Sequence, residues 1–122
     1  MLVKDLISEK ISAIGLSNTA DLLNIDEHGG LIILQVRENN YMLSEIARIV
    51  ENENAKILTV ATHLNPNGLL YIILKINTKN INPILKSFER FNYEINSYFI
   101  NNNDESDIFQ ERLNEFLHYI NI

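Results

Sequence analysis

Two apolar, β-rich runs, Ile57 to Leu64 and Leu69 to Asn77, flank the tetrapeptide Asn65-Pro66-Asn67-Gly68. Pro cannot donate to a central ladder and Asn-Gly tolerates positive φ, so the tetrapeptide is a turn and the runs are a hairpin. Every other element has to fit around that antiparallel pair. Upstream, Leu31 to Val36 (LIILQV) lies between Gly29-Gly30 and Glu38-Asn39-Asn40 and reads as a buried strand. Leu43, Ile46, Ala47 and Val50 recur at helical spacing, which predicts a helix from Met42 to Asn52. Downstream, Asn82 is a natural N-cap with Pro83 at the first helical position, where its missing N–H costs nothing. Ile81, Ile84, Leu85, Phe88 and Phe91 form the apolar stripe of that helix. Tyr93 to Ile100 follows as a fourth strand through the alternation of Tyr93, Ile95 and Phe99. After a polar loop from Asn101 to Glu105, Asp107 and Gln110 fit a capping box. Phe109, Leu113, Phe116, Leu117 and Ile120 then mark a last helix.

From residue 31 the order is strand, helix, strand, strand, helix, strand, and an extra helix. Two βαβ units around a central hairpin close most simply as an α+β, ferredoxin-like βαββαβ sandwich. Residues 1–28 lack sustained periodicity and read as an irregular N-terminal arm, with the domain over 29–122. Placing Leu58, Val60, Leu70, Ile72, Leu74 and Ile76 toward the helices turns Thr59, Ala61, His63, Tyr71, Ile73 and Lys75 to the other face. Leu31 and Ile33 join that second face, which stays largely apolar where a solvated face alternates to polar residues. One helix is about 10 Å wide, and four strands spaced about 4.8 Å apart span nearly twice that. The last helix therefore shields only part of the face. The expectation is a two-fold homodimer with Leu31, Ile33, Ala61, Tyr71 and Ile73 at or near the contact.

Composition narrows the function classes. The 122 residues carry a formal net charge of −6, which argues against nucleic acid or anionic lipid as a partner, since both need a concentrated basic surface. With no Cys, the sequence holds no disulfide, thiolate metal site or cysteine nucleophile, in keeping with a cytoplasmic setting. The longest apolar run, Gly68 to Leu74, is far short of the roughly 20 residues that span a bilayer. Lys4, Asp5, Glu9 and Lys10 break any signal-peptide core.

The segment from Gly29 to Leu58, GGLIILQVRENNYMLSEIARIVENENAKIL, resembles the start of an ACT domain. It has the strand, the short loop, a helix opening with Leu-Ser-Glu-Ile-Ala, and a second strand after Asn-Ala-Lys-Ile-Leu. More closely, it resembles the ACT-like C-terminal domain of bacterial CBS-pair proteins of the Bacteroidetes type. That likeness continues through Phe88-Glu89-Arg90-Phe91-Asn92-Tyr93 and His118-Tyr119-Ile120-Asn121-Ile122. In the arm, Met1 to Ile7 resembles the opening of a first CBS motif, and Gly15 to Leu23 (GLSNTADLL) the close of a last one. Gly15 and Asp21 keep the motif's spacing, while Asn18 stands where that family has Ser or Thr. The resemblance thus implies such a protein with its CBS core missing, and adenosine nucleotide as a ligand only if a CBS pair were present.

In ACT domains a small effector, often an amino acid, sits between the first strand and first helix, usually at a subunit interface. The matching positions are Arg37, Glu38, Asn39, Asn40, Tyr41, Met42 and Leu43. Free N–H groups at a helix start suit a carboxylate. Met42 stands near the point where many ACT domains carry Gly. The bland alternative is a polar loop with helix capping. Elsewhere the signals are structural. Arg48 with Glu51, and Glu89 with Arg90, read as solvated helix faces worth well under about 1 kcal/mol. His28, His63 and His118 lack metal-site spacing, and Asp104, Glu105 and Asp107 lack the alternation and Gly of a calcium loop. No nucleophile elbow or phosphate-cradling loop is present, so neither catalysis nor a cofactor is expected. The expected function is a regulatory, ligand-sensing module that dimerises. The alternative is a purely structural oligomerisation domain without a ligand.

Overall fold

In the computed structural model the described residues are 29–101 and Glu115. They form β1 (Gly29–Arg37), α1 (Leu43–Asn52), β2 (Ile57–Leu64), β3 (Leu69–Ile76), α2 (Asn82–Arg90) and β4 (Glu94–Asn101), with a 3-10 turn over Glu38–Asn40. The four strands make one antiparallel sheet in the order β2-β3-β1-β4. This α+β arrangement of a four-stranded antiparallel sheet and two helices is compatible with a ferredoxin-like fold. The expected arm, and the expected last helix apart from Glu115, lie outside the described residues. Among the described residues, no helix is long and apolar enough to cross a membrane.

The hairpin forms as its turn chemistry requires. Gly68 N–H donates to the Asn65 carbonyl (3.0 Å), and Gly68 takes φ +87°, a conformation only Gly adopts without strain. The Asn67 carboxamide oxygen accepts the Leu69 N–H, and the Asn67 carbonyl accepts Arg37 Nη1 at 3.1 Å. Glu38 N–H also reaches the Gly68 carbonyl (3.1 Å), so the turn is tied to the end of β1.

Both helices pack on one face of the sheet. Ile46, Ile49 and Val50 of α1 and Ile84, Leu85 and Phe88 of α2 close over Ile32, Leu34, Leu70, Ile72, Leu74 and Ile76. The helix faces differ from the expected ones in detail. Ile49, not Leu43, completes the buried stripe of α1, and Leu43 is exposed. Residues 46, 49 and 50 form an i, i+3, i+4 triplet on one arc of the helix, and that is the arc the sheet buries. Phe91 is likewise exposed, because α2 ends at Arg90. α2 begins at Asn82 with Ile81 in the cap position and no side-chain cap bond, so Asn82 is not the expected cap. Ile81 is buried against Gly30, where a β-carbon would collide with its Cγ2.

Two bulges reset which residues share a face. In β2, Ile57 pairs with Ile76 but Thr59 with Lys75, leaving Leu58 unmatched and exposed. Ile57 therefore joins the helix face in place of Leu58. In β4, Ser97 opposes Ile33 and Ile95 opposes Leu34, so Asn96 is the extra residue. Phe99 then pairs with Leu31 on the second face, while Ile95 packs on the helix side. A single inserted residue breaks the alternation read from Tyr93, Ile95 and Phe99.

Candidate ligand-binding site

The site grows from how α2 ends. Asn92 sits at φ +65°, its N–H donates to the Glu89 carbonyl (3.0 Å), and Tyr93 N–H donates to the Phe88 carbonyl (2.9 Å). This is a Schellman termination with Asn in the left-handed position. It folds Tyr93 back beside Phe88, ring centroids 5.6 Å apart and nearly perpendicular. The phenol then reaches across to α1, where it donates to Glu45 Oε1 at 2.7 Å. Burial foremost, and then the Glu45 carboxylate that accepts its hydrogen bond, push the Tyr93 phenol well above its ordinary pKa, while Arg48 pulls it the other way.

Between this junction and the end of β1 lies a cavity of about 370 Å³, within the range of small-molecule sites. Gln35, Val36, Arg37 and Asn40 line one side, Glu45 the helix side, and Phe91, Asn92, Tyr93 and Glu94 the other. Gln35 is oriented by Asn96, whose Nδ2 donates to its Oε1 at 3.1 Å. Asn92 owes its place in the wall to its left-handed backbone.

Of the expected ligand residues, Arg37 and Asn40 line the cavity. Asn39, Tyr41, Met42 and Leu43 are not in its wall. Tyr41 packs partly buried against the core, and Met42 and Leu43 are exposed. Glu38 spends its backbone on the β2–β3 turn. The end of β1 and the turn after it thus supply one side of the site, α1 supplies Glu45, and the segment from the end of α2 into β4 supplies the rest. Sequence reading passed over Glu45, Asn92, Tyr93 and Glu94. Phe91-Asn92-Tyr93 directly after an apolar helical stripe was the available signal, because Asn is favoured after Gly at that terminating position.

No family model and no curated protein matches the chain.

The second sheet face is closed at its centre within a single chain. Leu31 and Ile33 are fully buried, Ile73 and Tyr71 nearly so, and Ala61 is half-buried. Lys75, paired between Leu31 and Thr59, is fully buried on the same face. Arg48, Glu51, Glu89 and Arg90 are exposed, as solvated helix faces should be, and Arg90 Nη2 donates to Ser87 Oγ. His63 is half-buried on β2, while His28, His118, Asp104, Glu105 and Asp107 lie outside the described residues. Among the described residues no group of three or more His, Cys, Asp or Glu is placed to hold a metal.

Proposed function

We propose that this chain is a non-catalytic regulatory module of ferredoxin-like fold, an ACT-like domain of the kind found in CBS-pair proteins, that senses a small ligand and acts through dimerisation in the cytoplasm. One observation carries the reading. The cavity joins the expected β1–α1 residues Arg37 and Asn40 to Glu45 and Glu94, so cationic, anionic and amide groups line one small space. A polar small molecule such as an amino acid is the chemistry that such mixed walls can satisfy.

Thermal-shift screening of the full chain against amino acids and adenine nucleotides tests it, because a ligand that binds only the folded state raises Tm. A rise that is lost in Asn40→Ala supports the reading. A flat screen favours the second reading, a structural oligomerisation domain without a ligand. Leu58 and Leu64, both exposed on the outermost described strand β2, give that reading its own footing.

A further inference from the structure

The wall that α1 turns to the cavity is a carboxylate and not a row of N–H groups. Glu45 lines it, whereas Met42 and Leu43, whose backbone begins the helix, do not. Glu45 also places negative charge in the first turn, where the helix dipole already favours it, so an incoming anion would meet like charge there. Glu94 supplies a second carboxylate at the start of β4. Arg37 is the lone cation of the lining, and its Nη1 is engaged by the Asn67 carbonyl. Phe91 is half exposed at the rim, presenting an aromatic ring that a cation can rest against. The Tyr93 hydrogen bond fixes Glu45 while leaving acceptor positions on a carboxylate that has about four.

From these features we infer that the cavity takes a small organic cation, an alkylamine or a diamine, with ammonium groups on Glu45 and Glu94 and the alkyl part against Phe91 and Val36. The inference rests on the cavity being a ligand site, as proposed above, and names the charge of what enters it. A carboxylate on the ligand is not required.

The test is an amide chemical-shift titration of the full chain with butylamine, 1,4-diaminobutane, butyrate and leucine as probes. The expected result is that butylamine and 1,4-diaminobutane shift the amides of Gln35, Arg37, Asn40, Glu45, Asn92 and Glu94, the diamine binding several-fold tighter. Glu94→Gln and Glu45→Gln should each weaken the diamine about twofold to fivefold, the usual size of one partly solvated charge pair. Gln in place of Glu45 keeps an oxygen for the Tyr93 phenol, so the fold is retained. If butyrate or leucine shifts these amides and the amines do not, the cavity is a ligand site and the cationic class is wrong. If no probe moves them, both the class and the site are overturned.

Discussion

Tyr93 and Glu45, 48 positions apart in sequence, are joined by a phenol-to-carboxylate hydrogen bond of 2.7 Å that ties the end of α2 to the first turn of α1. Because burial and Glu45 favour the neutral phenol, its folded pKa lies above the unfolded one. The stabilisation is therefore complete below the ordinary phenol pKa of about 10 and is lost as pH rises beyond it. Urea unfolding followed from neutral pH upward should show stability falling above that value. Tyr93→Phe should cost about 1–2 kcal/mol at neutral pH and flatten the alkaline fall. An unchanged slope in the variant would place the alkaline loss elsewhere.

Asn92 tests the termination of α2. Its φ of +65° suits Gly better than any branched side chain. Asn92→Gly should leave stability within a few tenths of a kcal/mol, while Asn92→Val should lose about 1–2 kcal/mol. Equal losses would mean that the Asn side chain, and not its backbone, matters here.

Gly29 and Gly30 are each demanded by close approach, but by different neighbours. A β-carbon on Gly30 meets the Ile81 side chain, whereas one on Gly29 meets the Ile76 carbonyl, with φ at +146°. Gly30→Ala should cost about 1–3 kcal/mol through overpacking and recover partly when Ile81→Leu removes the β-branch. Gly29→Ala should cost at least as much and gain nothing from that second change. A double-mutant cycle on thermal or urea unfolding reads both.

Phe88 is fully buried between the helices and the sheet and carries the ring contact with Tyr93. Phe88→Ala should destabilise by about 3–5 kcal/mol, and Phe88→Leu by clearly less. A loss under about 1 kcal/mol in the alanine variant would contradict the packing described.

Self-association is expected as a homodimer in sedimentation velocity at micromolar concentration. Ile73 is buried within one chain, so Ile73→Lys should unfold the protein rather than release a folded monomer. Leu64→Lys, at a position 47% exposed, should keep Tm and is the variant that reads the β2 edge as a contact. A clean monomer for the unaltered chain ends the dimer proposal.

Much of the local structure was legible in the residues themselves. The span of β2 matches the expected one, and the ends of β1, β3, β4 and both helices lie within two residues of expectation. Apolar periodicity and the Asn-Pro-Asn-Gly turn are local signals, so they survive without knowledge of the fold. Along the strands, the face assignments failed only where one residue was inserted; on the helices, Leu43 and Phe91 fell outside the buried stripes without any insertion. Nothing about Leu58 or Asn96 as residue types announces a bulge, since a bulge is chosen by the partner strand's register.

The candidate site divides along the same line. Arg37 and Asn40 were reached through the resemblance to ACT domains, which points to one short stretch of chain, residues 37–43, at the end of β1. Glu45, Asn92, Tyr93 and Glu94 come from two distant segments and meet only once both helices dock on the sheet. Hydrophobic pattern and turn chemistry decide which elements form, because each depends on neighbours a few residues apart. Which side chains share a cavity, and that Glu45 faces inward while Met42 and Leu43 do not, depends on helix rotation and strand register. Those are settled by long-range packing, which no local pattern contains.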